Sequence, residues 1–85
     1  MNEAVIIFNL DDVCTSIQCS KENKMRDICQ KYGKEINEDI NSLLFLYEGN
    51  QINFESSFNS QANHKDKINN EMKIFVCQKS KKKLN

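Results

Sequence analysis

Leu43-Leu44-Phe45-Leu46-Tyr47-Glu48-Gly49-Asn50-Gln51-Ile52 is the stretch on which the fold turns. An apolar run is cut at Gly49-Asn50, a tight-turn pair, and an apolar residue resumes at Ile52. The pattern predicts a strand, a turn and the start of a second short strand. Alternation along the strand puts Leu44 and Leu46 on one face and Leu43, Phe45 and Tyr47 on the other. Both faces are apolar, unlike an antiparallel strand with one wet face.

Working outward, Ala4 to Asn9 form a short β-branched apolar run, the natural first strand. Leu10-Asp11-Asp12 supplies turn residues. Val13 to Cys19 then resumes, with Thr15, Ile17 and Cys19 alternating against Cys14, Ser16 and Gln18, so the two runs read as a hairpin. Asn23 can cap the helix that follows. Met25, Ile28, Cys29 and Tyr32 recur at helical spacing, giving one apolar stripe on a helix of roughly ten residues. Gly33 stands where a left-handed cap would end it. Beyond Ile52 come Phe54 and Phe58, then the polar stretch Asn59 to Asn70. Met72, Ile74 and Val76 alternate with Lys73, Phe75 and Cys77 as the final strand. Hairpins with one helix packed on their sheet satisfy the two-layer rule for a small domain.

Composition bounds the function. The chain has 85 residues, 39% apolar and 28% charged, with formal net charge zero. That is one domain with a modest core and no global pull toward nucleic acid or membrane. Residues 78–85 differ from the rest: Lys79, Lys81, Lys82 and Lys83 form a basic tail after a domain spanning 1–77. Met1-Asn2-Glu3 carries no basic residue and the apolar run after it is short, so no signal peptide is read there. A cytoplasmic, reducing location with free thiols is expected.

This order, with several residues, resembles the ubiquitin-like β-grasp family. Val5 to Ile52 register on ubiquitin without an insertion. Asp39-Ile40-Asn41-Ser42-Leu43, Phe45-Leu46-Tyr47, Gly49-Asn50-Gln51-Ile52, Gln61-Ala62-Asn63 and Asn70-Glu71-Met72-Lys73-Ile74 look like a ciliate-type group of such domains. The resemblance implies an α+β fold: a mixed four- to five-stranded sheet with one packed helix, in ββαββ order. It implies inward places for Val5 and Ile7 on the first strand, for Thr15, Ile17 and Cys19 on the second, and for Met25, Ile28 and Tyr32 on the helix. Conjugation, the family's best-known role, needs a C-terminal Gly-Gly as acyl donor. No glycine follows Gly49, and most positions of ubiquitin's chain-building lysines hold Phe8, Val13, Cys29, Glu35 and Asn50. A non-conjugating domain is expected.

Other chemistries find little support. Cys14, Cys19, Cys29 and Cys77 lack paired C-x-x-C knuckles, and Cys14 and Cys19 have opposite strand parity, so no metal site is expected. Cys19 and Cys29 read as core residues and Cys14 and Cys77 as more exposed. His64 is the single histidine, in a polar loop. With no phosphate loop and no nucleophile–base pair, neither enzymatic activity, a cofactor nor a small-molecule substrate is expected. The tail lysines could touch phosphate on nucleic acid or acidic lipid, at ~1 kcal/mol each near an anionic surface. Without interleaved aromatics they read as a solvated terminus.

A protein-binding face remains. The ubiquitin patch of a first-turn leucine, a third-strand isoleucine, and a last-strand histidine and valine falls on Leu10, Leu46, Lys73 and Phe75. Phe8 and Leu44 stand where ubiquitin has flanking charge. The expectation is a non-catalytic interaction module binding protein partners through Phe8, Leu10, Leu44, Leu46, Lys73 and Phe75. The alternative is a structural subunit held permanently in a large assembly, cytoskeletal or ciliary for example.

Overall fold

The structure, a computed structural model, describes residues 2–79. In chain order it contains β1 (Glu3–Leu10), β2 (Val13–Ser20), α1 (Met25–Ile36), a 3-10 turn (Ile40–Ser42), β3 (Leu43–Tyr47), β4 (Asn50–Gln51), α2 (Phe58–Gln61), α3 (His64–Asn69) and β5 (Glu71–Gln78). The strands form one mixed sheet in the order β2-β1-β5-β3-β4. β1 and β5 run parallel, and the other pairs are antiparallel. The α+β class with a mixed sheet is therefore as the sequence suggested.

The β1–β2 hairpin shows how turn length selects the buried face. Asp11 and Asp12 both take left-handed backbone, φ 54° and 67°, which makes a two-residue turn matched to the twist of the strands. Leu10 then faces Val13, and Phe8, Ile6 and Ala4 face Thr15, Ile17 and Cys19. Directly opposed residues share a face. Burial of Ile17 and Cys19 thus requires burial of Ala4, Ile6 and Phe8, and all five are buried. This corrects the expected parity of β1: Val5 and Ile7 are half-buried on the outer face, and Phe8 is wholly inside.

The inner face of the sheet packs on α1. Met25, Ile28, Cys29 and Tyr32 are buried along the helix as the stripe predicted. The Phe8 ring stacks on Tyr32 at 4.2 Å between centroids, and Phe45 meets both rings edge-on at 5.9 and 6.1 Å. Edge-to-face and offset contacts of this kind favour aromatic pairs beyond simple area burial. Leu43, Phe45, Tyr47, Met72, Ile74 and Val76 complete the core from β3 and β5.

The caps of α1 differ from those expected. Asn23 instead accepts from the Ser20 backbone N–H, and Lys24 occupies the N-cap without a side-chain bond. Two amides of the first turn, on Met25 and Arg26, donate to the carbonyls of Ser56 and Phe54 at 2.7 and 2.9 Å. The 53–57 segment thus caps the helix with backbone. Glu55 pairs with Lys24 and Arg26 there. Arg26 foremost, with Lys24, holds its exposed carboxyl below the usual range, and Arg26 lies over the Phe54 ring at 5.6 Å. At the other end the left-handed residue is Asn37, φ 62°.

Gly33 lies inside the helix and is buried for a different reason. A Cβ there would come within 2.8 Å of the Glu38 carbonyl oxygen and 2.9 Å of Ile40 Cγ2. Gly33→Ala is expected to destabilise the fold by about 1 kcal/mol, because overpacking against backbone outweighs alanine's better helix propensity. Urea unfolding with an unchanged m-value measures it.

The second turn also moves by one residue. Glu48 and Gly49 carry the positive φ values, 52° and 85°, and Tyr47 pairs with Asn50. The polar 59–70 stretch holds most of α2 and all of α3, whose caps Ser57 and Asn63 accept from the amides of Ser60 and Asp66. His64 opens α3 and is exposed.

Candidate protein-binding face

On β5 the inward residues Met72, Ile74 and Val76 leave Glu71, Lys73, Phe75 and Cys77 outside. Their lateral neighbours follow from register. Phe75 lies between Asn9 of β1 and Leu46 of β3, Lys73 beside Ile7, Glu71 beside Val5, and Cys77 beside Leu44. Leu44, Leu46, Lys73 and Phe75, four of the six expected residues, therefore share the face of the sheet turned away from α1. Phe75 is 64% exposed, and Leu44 and Leu46 are half-buried.

Two expected residues are not on this face. Phe8 is 0% exposed beneath the helix, placed there by the two-residue hairpin turn. Leu10 follows the same parity, opposite the buried Val76, and packs partly buried against the core. Val5 and Ile7 take their place outside. The sequence signal for them was the length of the Asp11-Asp12 turn.

Phe75 forms a ridge between two grooves. On the β2 side a groove of about 500 Å³ runs along Ile7, Asn9, Cys14, Ser16 and Lys73. On the α3 side a groove of about 600 Å³ is bounded by Tyr47, Glu48, Asn63, Asp66 and Lys73. One wall of the second groove is a fixed polar network. Tyr47 Oη donates to Asp66 Oδ2 at 2.6 Å and accepts from the Asn63 backbone N–H at 2.9 Å. Burial, outweighing the Asn63 contact, together with the Asp66 carboxylate pushes the Tyr47 hydroxyl up to about 12.

Cys29 is buried in the core, where desolvation pushes its thiol up to about 12. Cys19 is raised in the same way, with Lys31 opposing. Both remain protonated at neutral pH and are poor nucleophiles. Cys14 and Cys77 are exposed. Among the described residues, no three His, Cys, Asp or Glu side chains are grouped to hold a metal ion, and no helix is long and apolar enough to cross a membrane. Lys79 is exposed, its N–H donating to the Ser42 carbonyl. Lys81, Lys82 and Lys83 lie outside the described residues.

No protein-family model and no curated protein matches this sequence. Solved structures match over nearly the whole chain. The ubiquitin-like domain of Arabidopsis thaliana protein At2g32350 superposes with a TM-score of 0.78 at 12% identity, covering 100% of this chain and 86% of that one. Caldiarchaeum subterraneum ubiquitin gives 0.73 at 7% identity, covering 95% and 99%. The N-terminal ubiquitin-like domain of the 4931431F19Rik protein gives 0.70 at 8% identity, covering 99% and 82%. With the strand order and packed helix described above, these likenesses establish that the chain has the ubiquitin-like fold.

Proposed function

We propose that this domain is a non-catalytic protein-interaction module, ubiquitin-like and of the ciliate-type group, that works in the cytoplasm. Its partner binds across Ile7, Leu44, Leu46, Lys73 and Phe75. The observation that carries this reading is Phe75, an aromatic ring 64% exposed at the centre of a sheet face with Leu46 directly opposite. Contiguous apolar surface of this kind on a small domain marks a contact site. The grooves beside the ring give a partner's side chains somewhere to seat. An aromatic anchor in such a setting typically dominates binding energy.

Phe75→Glu and Leu46→Asp test it. Both residues sit on the outer face, so the fold should survive, which circular dichroism checks. Proteins retained from cell extract by the wild-type domain should bind each variant at least tenfold more weakly. Val13→Glu is the control: Val13 is equally exposed at 64% but opposes Leu10 on the helix side. Retention unchanged by Phe75→Glu, or lost equally with Val13→Glu, overturns the proposal. The alternative use, as a permanently held subunit of a large assembly, rests on the same face. It calls for a discrete large particle when native extract is sized, whereas a reversible module runs mostly free. The basic tail 78–85 is assigned no partner in this reading.

A further inference from the structure

The free edge of the sheet, β2, holds backbone groups apart from the Phe75 ridge, although the side chains of Cys14 and Ser16 line the groove beside it. Leu10 and Val13 close the hairpin turn, so Val13, Thr15, Ile17 and Cys19 direct their backbone groups at β1. Cys14, Ser16, Gln18 and Ser20 direct theirs away from the sheet. Two contacts agree with that parity. Ser20 donates to Asn23 Oδ1 at 2.9 Å and accepts from the Asn23 N–H at 3.0 Å. The Gln18 carbonyl accepts from Lys31 Nζ at 3.4 Å. One end of the edge is thus closed by Asn23 and Lys31. At the other end, the N–H and C=O groups of Cys14 and Ser16 and the N–H of Gln18 have no protein partner among the described residues.

An edge of this length is normally blunted by charge, proline or brevity. The opposite edge, β4, is blunted by brevity, being two residues long. β2 spans eight residues and contains neither a charged residue nor a proline. We infer that β2 pairs antiparallel with β2 of a second copy of this chain, about a two-fold axis at Ser16, to form one continuous sheet. This register sets Ser16 opposite Ser16 and Cys14 opposite Gln18, and each facing pair exchanges two backbone hydrogen bonds. It draws on the groups left open, with the Gln18 carbonyl shared with or released by Lys31. Centring the axis on Ile17 would place Cys14 opposite Ser20, whose groups Asn23 already holds. No like charges meet across the seam, because the strand carries none. An isologous contact of this kind closes on itself as a dimer.

Sedimentation equilibrium over a range of concentrations tests the inference, with a reversible dimer expected. Ser16→Pro removes an outward N–H without touching the β1 ladder, a substitution edge strands tolerate. It should weaken the dimer at least tenfold. Should that variant not fold, two other measurements decide. In a Cys14→Ser, Cys77→Ser background, Ser16→Cys places facing Cα atoms ~5.5 Å apart, within disulfide reach, and mild oxidation should yield a covalent dimer. Hydrogen exchange at the Ser16 amide should slow as concentration rises. A wild-type monomer at millimolar concentration overturns the inference, whatever extended peptide the edge then accepts. So does a dimer that survives Ser16→Pro or fails to cross-link through the thiol introduced by Ser16→Cys, as would one built on the Phe75 face.

Discussion

Phe8→Ala should bring the protein to the edge of unfolding at room temperature, while Ile7→Ala should be nearly silent. The ring of Phe8 is fully buried, stacked on Tyr32 at 4.2 Å and met edge-on by Phe45. Removing it forfeits the transfer free energy of a large side chain and leaves a cavity between sheet and helix, at about 3–5 kcal/mol. A domain of this length has only ~5 kcal/mol in hand. Ile7 is half-buried on the outer face beside Lys73, and losing it should cost less than about 1 kcal/mol. Thermal and urea unfolding of the two variants measure the contrast. A larger loss at Ile7 than at Phe8 would show that the first strand has the opposite parity.

Tyr47→Phe should cost about 2 kcal/mol, the value of a hydrogen bond to a charged group plus an orphaned amide donor. The hydroxyl is the one link that both donates to Asp66 and accepts from the Asn63 amide, tying the start of α3 to the end of β3. Its titration gives a second reading. The folded value, about 12, lies above the ordinary value near 10. A group raised on folding contributes its stability in full below pH ~10 and loses it as pH climbs through 12. Wild type should therefore lose more stability than Tyr47→Phe between pH 10 and 12, with the lysines common to both. Parallel alkaline curves for the two proteins would place the hydroxyl outside the stability balance.

What the sequence revealed depended on contrast between the two faces of each element. On α1, Met25, Ile28, Cys29 and Tyr32 stand out against charged neighbours, so the buried stripe was readable. The same holds for Met72, Ile74 and Val76 on β5, which alternate with polar or exposed residues. β1 offers no such contrast, because Val5 and Ile7 are as apolar as Ile6 and Phe8. Only the register imposed by the Asp11-Asp12 turn decides its inside, and a one-residue slip inverts every side chain. That single slip accounts for both Phe8 and Leu10 being expected on the binding face. Lys73 and Phe75 were placed on it from the alternation of β5, and Leu44 and Leu46 from the ubiquitin-like register, because β3 is apolar on both faces. The helices α2 and α3 are too short for a periodic signal, although their caps Ser57 and Asn63 were present in the sequence. Gly33 misled because glycine fits both a helix end and a close approach, and only the positions of the Glu38 carbonyl and Ile40 distinguish them.

The position of β5 between β1 and β3 has a consequence for how the molecule is made. On a ribosome, the β1–β2 hairpin, the helix and β3 all emerge before the strand that joins them. At ~5–20 residues per second, the interval from Tyr47 to Glu71 lasts roughly 1–5 s. Throughout it the nascent chain presents two unpaired strand borders, along Val5–Leu10 and Leu43–Leu46, and a core that lacks Met72, Ile74 and Val76. β5, synthesised after both strands it joins, is therefore the part that ends their exposure to chaperones and to neighbouring chains on the same message.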